Sequence, residues 1–527
     1  MTPSSGAPPA IVEAPSPSVT PQTHLDLVWL PVATSMFFIV AFLAAAWFRL
    51  TYAYPMWAME TPAMQAVRRI LHAQPLYGPP SLEYVPSLYT PLYFYVGALA
   101  AGVLGPSLFT LRLVSLLASL GSAVLIGHLV LRETRNRMAS LIAAGLFVCT
   151  TTLSATSLDL ARVDALCLCL MLAGLDTARA ADVSDPRRAS WLSLASGVCV
   201  GLAILTKQTA VALAVILLVH AALTRKPRRF GGFVLGAGLT VGVAGALLVA
   251  QYGAWPQLYL VNLPRQHALQ LQALEGFWSK QILPAYTLPL VAVPLSFVGR
   301  VLDRDAVALR FWVLATLGML GIAWGASLNM WSSENVLLPA FAILSAGFGL
   351  GLAEGLRRLS VPVRQVRVFR TYLLVLAVAQ FAFVHYNPRQ TSPLRSDVEA
   401  GQRLVSAIRN LHGSVFGPDV AEFLYQAGKG DQTFGLSAGE LQGTFGGKPL
   451  PELTIWTSAY AQALDERRYD EVLLDPGSVE FFITDSTRDH GYVDTGPLIP
   501  AGDEYYRLDS HFMPQVHVWV PRERLAG

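Results

Sequence analysis

Charge is scarce in this sequence. Asp, Glu, Lys and Arg make up 14% of the 527 residues, against roughly 25% in soluble globular domains. Hydrophobic residues reach 53% and mean hydropathy is +0.45, which excludes an ordinary soluble chain. The formal charge of +3 leaves too little positive excess for a nucleic-acid partner. Cysteine is scarce too: Cys149, Cys167, Cys169 and Cys199 all fall in apolar segments, which argues against a disulfide framework. The start, MTPSSGAPPAIVEAPSPSVTPQTHLD, is rich in Pro, Ser and Thr but lacks the basic run of a cleaved signal peptide. Residues 1–26 therefore read as a disordered cytoplasmic tail.

What is present is a series of apolar runs, each near the roughly 20 residues a helix needs to cross a bilayer. Eleven are expected, at 27–49, 107–131, 139–156, 163–180, 191–206, 209–223, 231–250, 283–299, 309–328, 336–354 and 370–386. Residues 92–105, also apolar but short and closed by Gly105-Pro106, read as an interfacial helix. With that count, basic residues gather in alternate loops. Arg132, Arg135, Arg137, Arg179, Arg187, Arg188, Arg225, Lys226, Arg228, Arg229, Arg300, Arg304, Arg310, Arg357, Arg358, Arg364, Arg367 and Arg370 fall on one side. Arg68, Arg69, Arg162, Lys207, Arg265 and Lys280 fall on the other. A bias of about three to one marks the first side as cytoplasmic. The expected fold is thus an all-α polytopic membrane protein with its N-terminus inside.

From about Asn387 polar residues return, and helix-like and strand-like runs alternate. Residues 391–527 read as a small extracytoplasmic α/β domain, following a membrane domain at 27–390 whose first external loop spans 51–105. The C-terminal stretch contains no CxxC, HExxH, Walker or GxGxxG pattern, so it announces no chemistry of its own. No short repeat is evident.

Ionisable residues at the external span ends are the functional candidates, since charge near hydrocarbon costs about 2.5–3.5 kcal/mol at mid-span. Glu60 follows the first span, and Glu83 lies in GPPSLEYVP. Asp159, Arg162 and Asp164 form SLDLARVDAL; Lys207 sits in LAILTKQTA; Arg265 and His267 lie in NLPRQHALQL; Glu334 and Asn335 lie in NMWSSENVLLPA. Carboxylates can take a proton or bind a divalent metal, while Arg and Lys can hold a phosphate. The bland alternatives are a solvated loop for Glu60 and Glu83, a salt bridge clamping the 159–164 turn, and a snorkelling Lys207. The aromatics Tyr52, Tyr54, Trp57, Tyr84, Tyr89, Tyr93 and Trp331 read mainly as an interfacial belt.

The order of these features resembles the GT-C class of polytopic glycosyltransferases, in the branch of protein O-mannosyltransferases and the lipid A aminoarabinose transferase. The resemblance rests on Glu60 after the first span, the loop ending YTPLYFYVGALAAGVLGPSLFTLRLVS, SLDLARVDAL, LAILTKQTA and ENVLLPA, and covers about residues 27–390. It implies an enzyme of a bacterial-type inner membrane that moves a hexosyl or pentosyl group from a polyprenyl-phosphate donor to a lipid, glycan or protein acceptor, with inversion. It implies Glu60 as general base, with Asp164 also catalytic. Glu83, Arg162, Lys207, Arg265, His267 and Asn335 become substrate-binding candidates, with Arg162, Lys207 and Arg265 for the phosphate. Asp159 and Asp164 resemble second-loop acids that in some members help hold a divalent metal, Mg or Mn. This chain departs from the mannosyltransferases in carrying Met59-Glu60-Thr61 where an Asp-Glu pair is frequent. A lipid or glycan transporter is the alternative, but it predicts paired repeats and charges at mid-membrane. An assembly protein working through its C-terminal part is a third reading, under which Glu60 is dispensable.

Overall fold

The structure, a computed structural model, describes residues 27–330, 332–359, 364–444, 446–476, 481–499 and 516–525. The expected tail 1–26 and Trp331 lie outside the described residues. Each expected span coincides with a helix: α1 Trp29–Thr51, then, beyond α2 Glu60–Leu71 and α3 Leu92–Leu104, α4 Leu108–Thr134, α5 Arg137–Val148, α6 Val163–Asp182, α7 Pro186–Ile204, α8 Val211–Leu223, α9 Pro227–Tyr252, α10 Leu283–Leu302, α11 Ala306–Ser327, α12 Leu338–Arg358 and α13 Arg364–Phe383. By length and composition alone, seven helices among the described residues suffice to cross a membrane, or eight if the bent pair around Pro388 is one span. The α6 and α7 segments are not among the seven, and α8 with its leading turn is a short apolar helix. The helices are as expected; the number of crossings is not thereby fixed at eleven.

Local chemistry sets the tight turns. Arg135 takes a left-handed conformation (φ 54°) and Asn136 caps α5 by accepting from the Ala139 amide. Asp185 caps α7 ahead of Pro186, and Asp305 caps α11. Helices α7 and α9 approach closely through Gly197 and Gly236, where a Cβ would fall 2.2 Å from the Phe233 carbonyl and 2.3 Å from the Leu194 carbonyl. Helix α12, rich in Gly, Ala and Ser, runs through the middle of the bundle, with 89% of its apolar window buried.

The bundle has two polar ends. At one, Glu133 bridges Arg179 (2.6 Å) and Arg300 (2.9 Å), and Asp182 receives Arg229 and His220. The other end carries the 52–91 loop, the 155–162 turn, the Lys207 turn and the C-terminal unit. That unit contains α14 Arg395–Asn410, β1 Val415–Phe416, α15 Ala421–Gln426, α16 Gly435–Gln442, α17 Leu453–Asp465, β2 Glu471–Leu474, α18 Phe481–Asp489, β3 Tyr492–Pro497 and β4 His517–Pro521. The strand order is β1-β2-β4-β3, parallel between β1 and β2 (Val415 opposite Glu471) and antiparallel elsewhere. Its apolar side chains pack into the first loop: Phe416 and Trp456 join Ala63, Val67 and Tyr77, while Leu404 and Phe423 join Tyr52 and Tyr54. The expectation of an aromatic belt is corrected here, because Tyr52, Tyr54, Tyr84 and Tyr93 are buried in protein.

Candidate functional site

Glu60 opens α2 and is fully buried. Its carboxylate accepts from Arg112 Nε (2.7 Å) and Nη2 (2.6 Å), from the Ala161 amide (2.9 Å) and from the Met56 amide (2.8 Å). Arg112 projects from α4 and also donates to the carbonyls of Arg49, Tyr52 and Tyr54. Burial alone would raise the Glu60 carboxyl; the Arg112 charge and these hydrogen bonds outweigh it and hold the group below its ordinary range. A general base needs an open lone pair within reach of the proton. Both Glu60 oxygens are doubly occupied, so in this arrangement Glu60 ties the end of α1 and the start of α2 to the turn before α6.

That turn presents the next group. Ala155 and Thr156 are left-handed (φ 49° and 52°), and Ser119 and Ser115, one helical turn apart on α4, donate to the Leu158 and Arg162 carbonyls. Helix α6 then begins, with Asp164 in its first turn, where the helix dipole favours an anion. Asp164 Oδ1 accepts from Lys207 Nζ (2.6 Å) and Asn335 Nδ2 (2.8 Å). Ser333 donates to Asn335 Oδ1 and so turns the amide nitrogen toward Asp164. Lys207 follows the end of α7, which Thr90 and the Leu92 amide tie to the first loop. Burial would lower the Lys207 ammonium; the adjacent Asp164 charge outweighs it and holds it above its ordinary range.

Two polar atoms in this group are left over. Asp164 Oδ2 lies 3.2 Å from Arg162 Nε as an ion pair without a hydrogen bond, and Arg162 Nη1 is buried with no partner. Asp164, Lys207 and Asn335 line one cavity, whose remaining wall includes Cys167, Met171, Ile322 and Leu338. Arg162 lines a second, with Met59, Pro62, Tyr89 and Phe94. The guanidinium sits 5.5 Å from the Trp57 ring centre, and the Lys207 ammonium 5.8 Å from that of Tyr89. One carboxylate among two cations leaves the group one positive charge in excess.

Of the residues expected at a site, the structure brings together Asp164, Arg162, Lys207 and Asn335, and Glu60 is joined to the adjoining Ala161 amide. The others go elsewhere. Glu83 makes an exposed ion pair with Arg468 (3.1 Å), and His267 meets Glu440 of the C-terminal unit (2.7 Å). Arg265 is exposed, as is Glu334. Asp159 is buried against Arg49, which occupies both its oxygens (2.6 and 3.1 Å) and also reaches Thr391. Burial pushes the Asp159 carboxyl up, and Arg49 opposes it without cancelling it. The donor set does not fit a divalent metal at Asp159 and Asp164: both Asp159 oxygens and Asp164 Oδ1 are filled, and a cation at Asp164 Oδ2 would meet the Arg162 guanidinium 3.2 Å away. Among the described residues no group of three or more His, Cys, Asp or Glu could hold one. Arg49, Arg68 and Arg112 were not singled out in the sequence. For Arg49 and Arg112 the signal is a lone arginine in an apolar run, which demands a partner; Arg68, next to Arg69 in an amphipathic helix, carries no such signal.

This arrangement can be set beside known proteins. Residues 86–252 match the model of the dolichyl-phosphate-mannose-protein mannosyltransferase family. Comparison with curated proteins gives no match. Among solved structures, ArnT from Cupriavidus metallidurans bound to undecaprenyl phosphate superposes with a TM-score of 0.59 at 12% identity, over 92% of this chain and 97% of that one. Its apo form gives 0.58, also at 12%, over 92% and 98%. The fold is similar to that of these ArnT structures. The archaeal oligosaccharyltransferase AglB from Archaeoglobus fulgidus, in complex with an inhibitory peptide and a dolichol-phosphate, is also similar. It scores 0.50 at 13% identity over 88% of this chain and 75% of its own.

Proposed function

We propose that this chain is an integral-membrane glycosyltransferase that moves a sugar from a polyprenyl-phosphate donor to an acceptor hydroxyl, with inversion. The observation that carries the reading is the pair of unused atoms, Arg162 Nη1 and Asp164 Oδ2, beside Lys207 in a cavity-lined group with one excess positive charge. A lipid-linked phosphodiester brings one negative charge, which matches that excess. Support also comes from the family match and from the lipid phosphates named with the similar structures.

In this reading the acceptor oxygen bonds to the anomeric carbon while the bond from that carbon to the phosphate oxygen breaks. The electron pair leaves with the lipid phosphate, whose growing charge faces Lys207 and Arg162. The acceptor proton passes to Asp164 Oδ2. That role moves from Glu60, whose oxygens are filled, to the carboxylate with an open lone pair. Lys207 and Asn335 orient Asp164 through its other oxygen, and Glu60 fixes the turn through the Ala161 amide. The helices cross the membrane eleven times, the N-terminus is cytoplasmic, and the site and C-terminal unit face outward from a bacterial-type cytoplasmic membrane. The clustering of basic turns at the opposite end of the bundle supports that orientation.

The test uses purified full-length protein and undecaprenyl phosphate as the lipid probe. Asp164→Asn should keep lipid binding and lose sugar transfer, while Lys207→Ala should weaken lipid binding. Full transfer by Asp164→Asn removes the base assignment. Unchanged envelope glycans and glycolipids, by mass analysis of cells lacking the protein, remove the transferase reading.

A further inference from the structure

Helix α2 has a charged anchor at each end, and only the first belongs to the site. At its start, Met59 lines the Arg162 cavity and Glu60 holds Arg112 and the Ala161 amide. Two turns later Arg68, 1% exposed, enters the C-terminal unit. Its Nη1 and Nη2 donate to Glu422 (3.0–3.1 Å) and its Nε and Nη2 to Asp431 (3.2 and 2.7 Å). The Tyr425 ring lies 3.8 Å from the guanidinium carbon. Beside it Gln65 donates to the Gln432 carbonyl, and Thr433 reaches back to the Ser81 and Leu82 carbonyls.

A 12-residue helix is marginal on its own. Its placement is therefore set by what grips it, and a helix transmits position along its axis at about 1.5 Å per residue. We infer that Arg68 is a positioning residue, clamping the far end of α2 to Glu422 and Asp431 so that its near end holds the 159–164 turn in register with the site. The C-terminal unit thereby acts on the reaction without touching the reacting atoms. The inference rests on the site proposed above. Only arginine offers the flat fork that two carboxylates can share, so lysine keeps the charge and loses the clamp.

The experiment is hydrogen exchange on the full-length protein in detergent. It compares the native sequence with Arg68→Lys, with Glu422→Gln as a second variant should lysine prevent folding. Arg468→Ala is the control, breaking an exposed ion pair between the same two regions. The expected result is faster exchange at residues 58–66 and 159–163 in the clamp variants and none there in the control. Faster exchange confined to residues 66–72 and the C-terminal unit would overturn the inference. In the transfer assay kcat should fall about tenfold or more with donor KM unchanged within about twofold. A fall in kcat that the control reproduces equally would also overturn it. Because exchange is read without substrate, propagation to 159–163 in a protein that transfers no sugar upholds the clamp and sinks the transferase reading.

Discussion

Arg112 grips both oxygens of Glu60, at 2.7 and 2.6 Å, with neither residue exposed to solvent. The pair joins α4 to α2, and through the Arg49, Tyr52, Tyr54 and Ala161 backbone groups it gathers four stretches of chain. Removing one partner of such a pair leaves an uncompensated buried charge, which costs about 3–5 kcal/mol. Glu60→Gln and Arg112→Ala should therefore both lower the unfolding midpoint in detergent. A Glu60→Gln protein of native stability would show that the pair is not what holds this junction.

The Glu60 carboxyl also carries a pH signature. Its folded-state pKa lies below the ordinary value, so its contribution is present above that value, about 4.3. It is lost as pH falls through the lower folded-state value. Native protein should lose stability on acidification more than Glu60→Gln does, measured as the difference in midpoint between neutral and acid pH.

Asp164 and Lys207 should separate by kinetics. Asp164→Asn keeps the shape and removes the proton acceptor, so kcat should fall about 10²–10⁴-fold with donor binding retained. Lys207→Ala removes charge stabilisation from the leaving phosphate, with an expected kcat loss of about 10²–10³-fold and weaker lipid binding. Steady-state rates with undecaprenyl-phosphate-linked sugar distinguish the two.

Metal removal tests the cationic surroundings of Asp159 and Asp164. With both Asp159 oxygens held by Arg49, Asp164 Oδ1 held by Lys207 and Asn335, and Asp164 Oδ2 facing the Arg162 guanidinium, transfer should survive exhaustive dialysis against EDTA. Activity that vanishes and returns with Mg or Mn would place a cation where the ammonium now sits.

His267 and Glu440 join the 264–270 segment to the C-terminal unit at 2.7 Å. Burial lowers the His267 pKa, but the Glu440 hydrogen bond and charge outweigh it, and the net shift is upward. Burial raises the Glu440 carboxyl, so the latch needs a pH at which Glu440 is ionised. With Glu440 ionised, the His267 contribution is present below about pH 6.5 and is lost as pH rises through the higher folded-state value. Proteolysis within 264–270 should accelerate with rising pH in the native sequence. Glu440→Gln should abolish that dependence.

Much of the architecture was legible in local sequence. Each apolar run became a helix because a chain in hydrocarbon must satisfy its own backbone. The end of the short 92–104 helix was readable from Gly105-Pro106, with Gly105 at φ 86°. Asp164, Arg162, Lys207 and Asn335, which the structure brings together, could be picked out as candidates because charge and amide groups at span ends stand out against an apolar background. Glu60 was found for the same reason but with a different expected role. Nothing in AMETPA says that Arg112, 52 residues on, fills its lone pairs.

The sequence by itself determined the membrane class, the helices and the short set of polar candidates, because hydropathy and charge are local properties. Pairing was decided only by tertiary structure. Which carboxylate is clamped, which keeps an open oxygen, and which arginine reaches Glu422 depend on contacts across 43 to 354 residues. An isolated carboxylate looks the same in sequence whether it will carry a proton or a load; its neighbours in space make the difference.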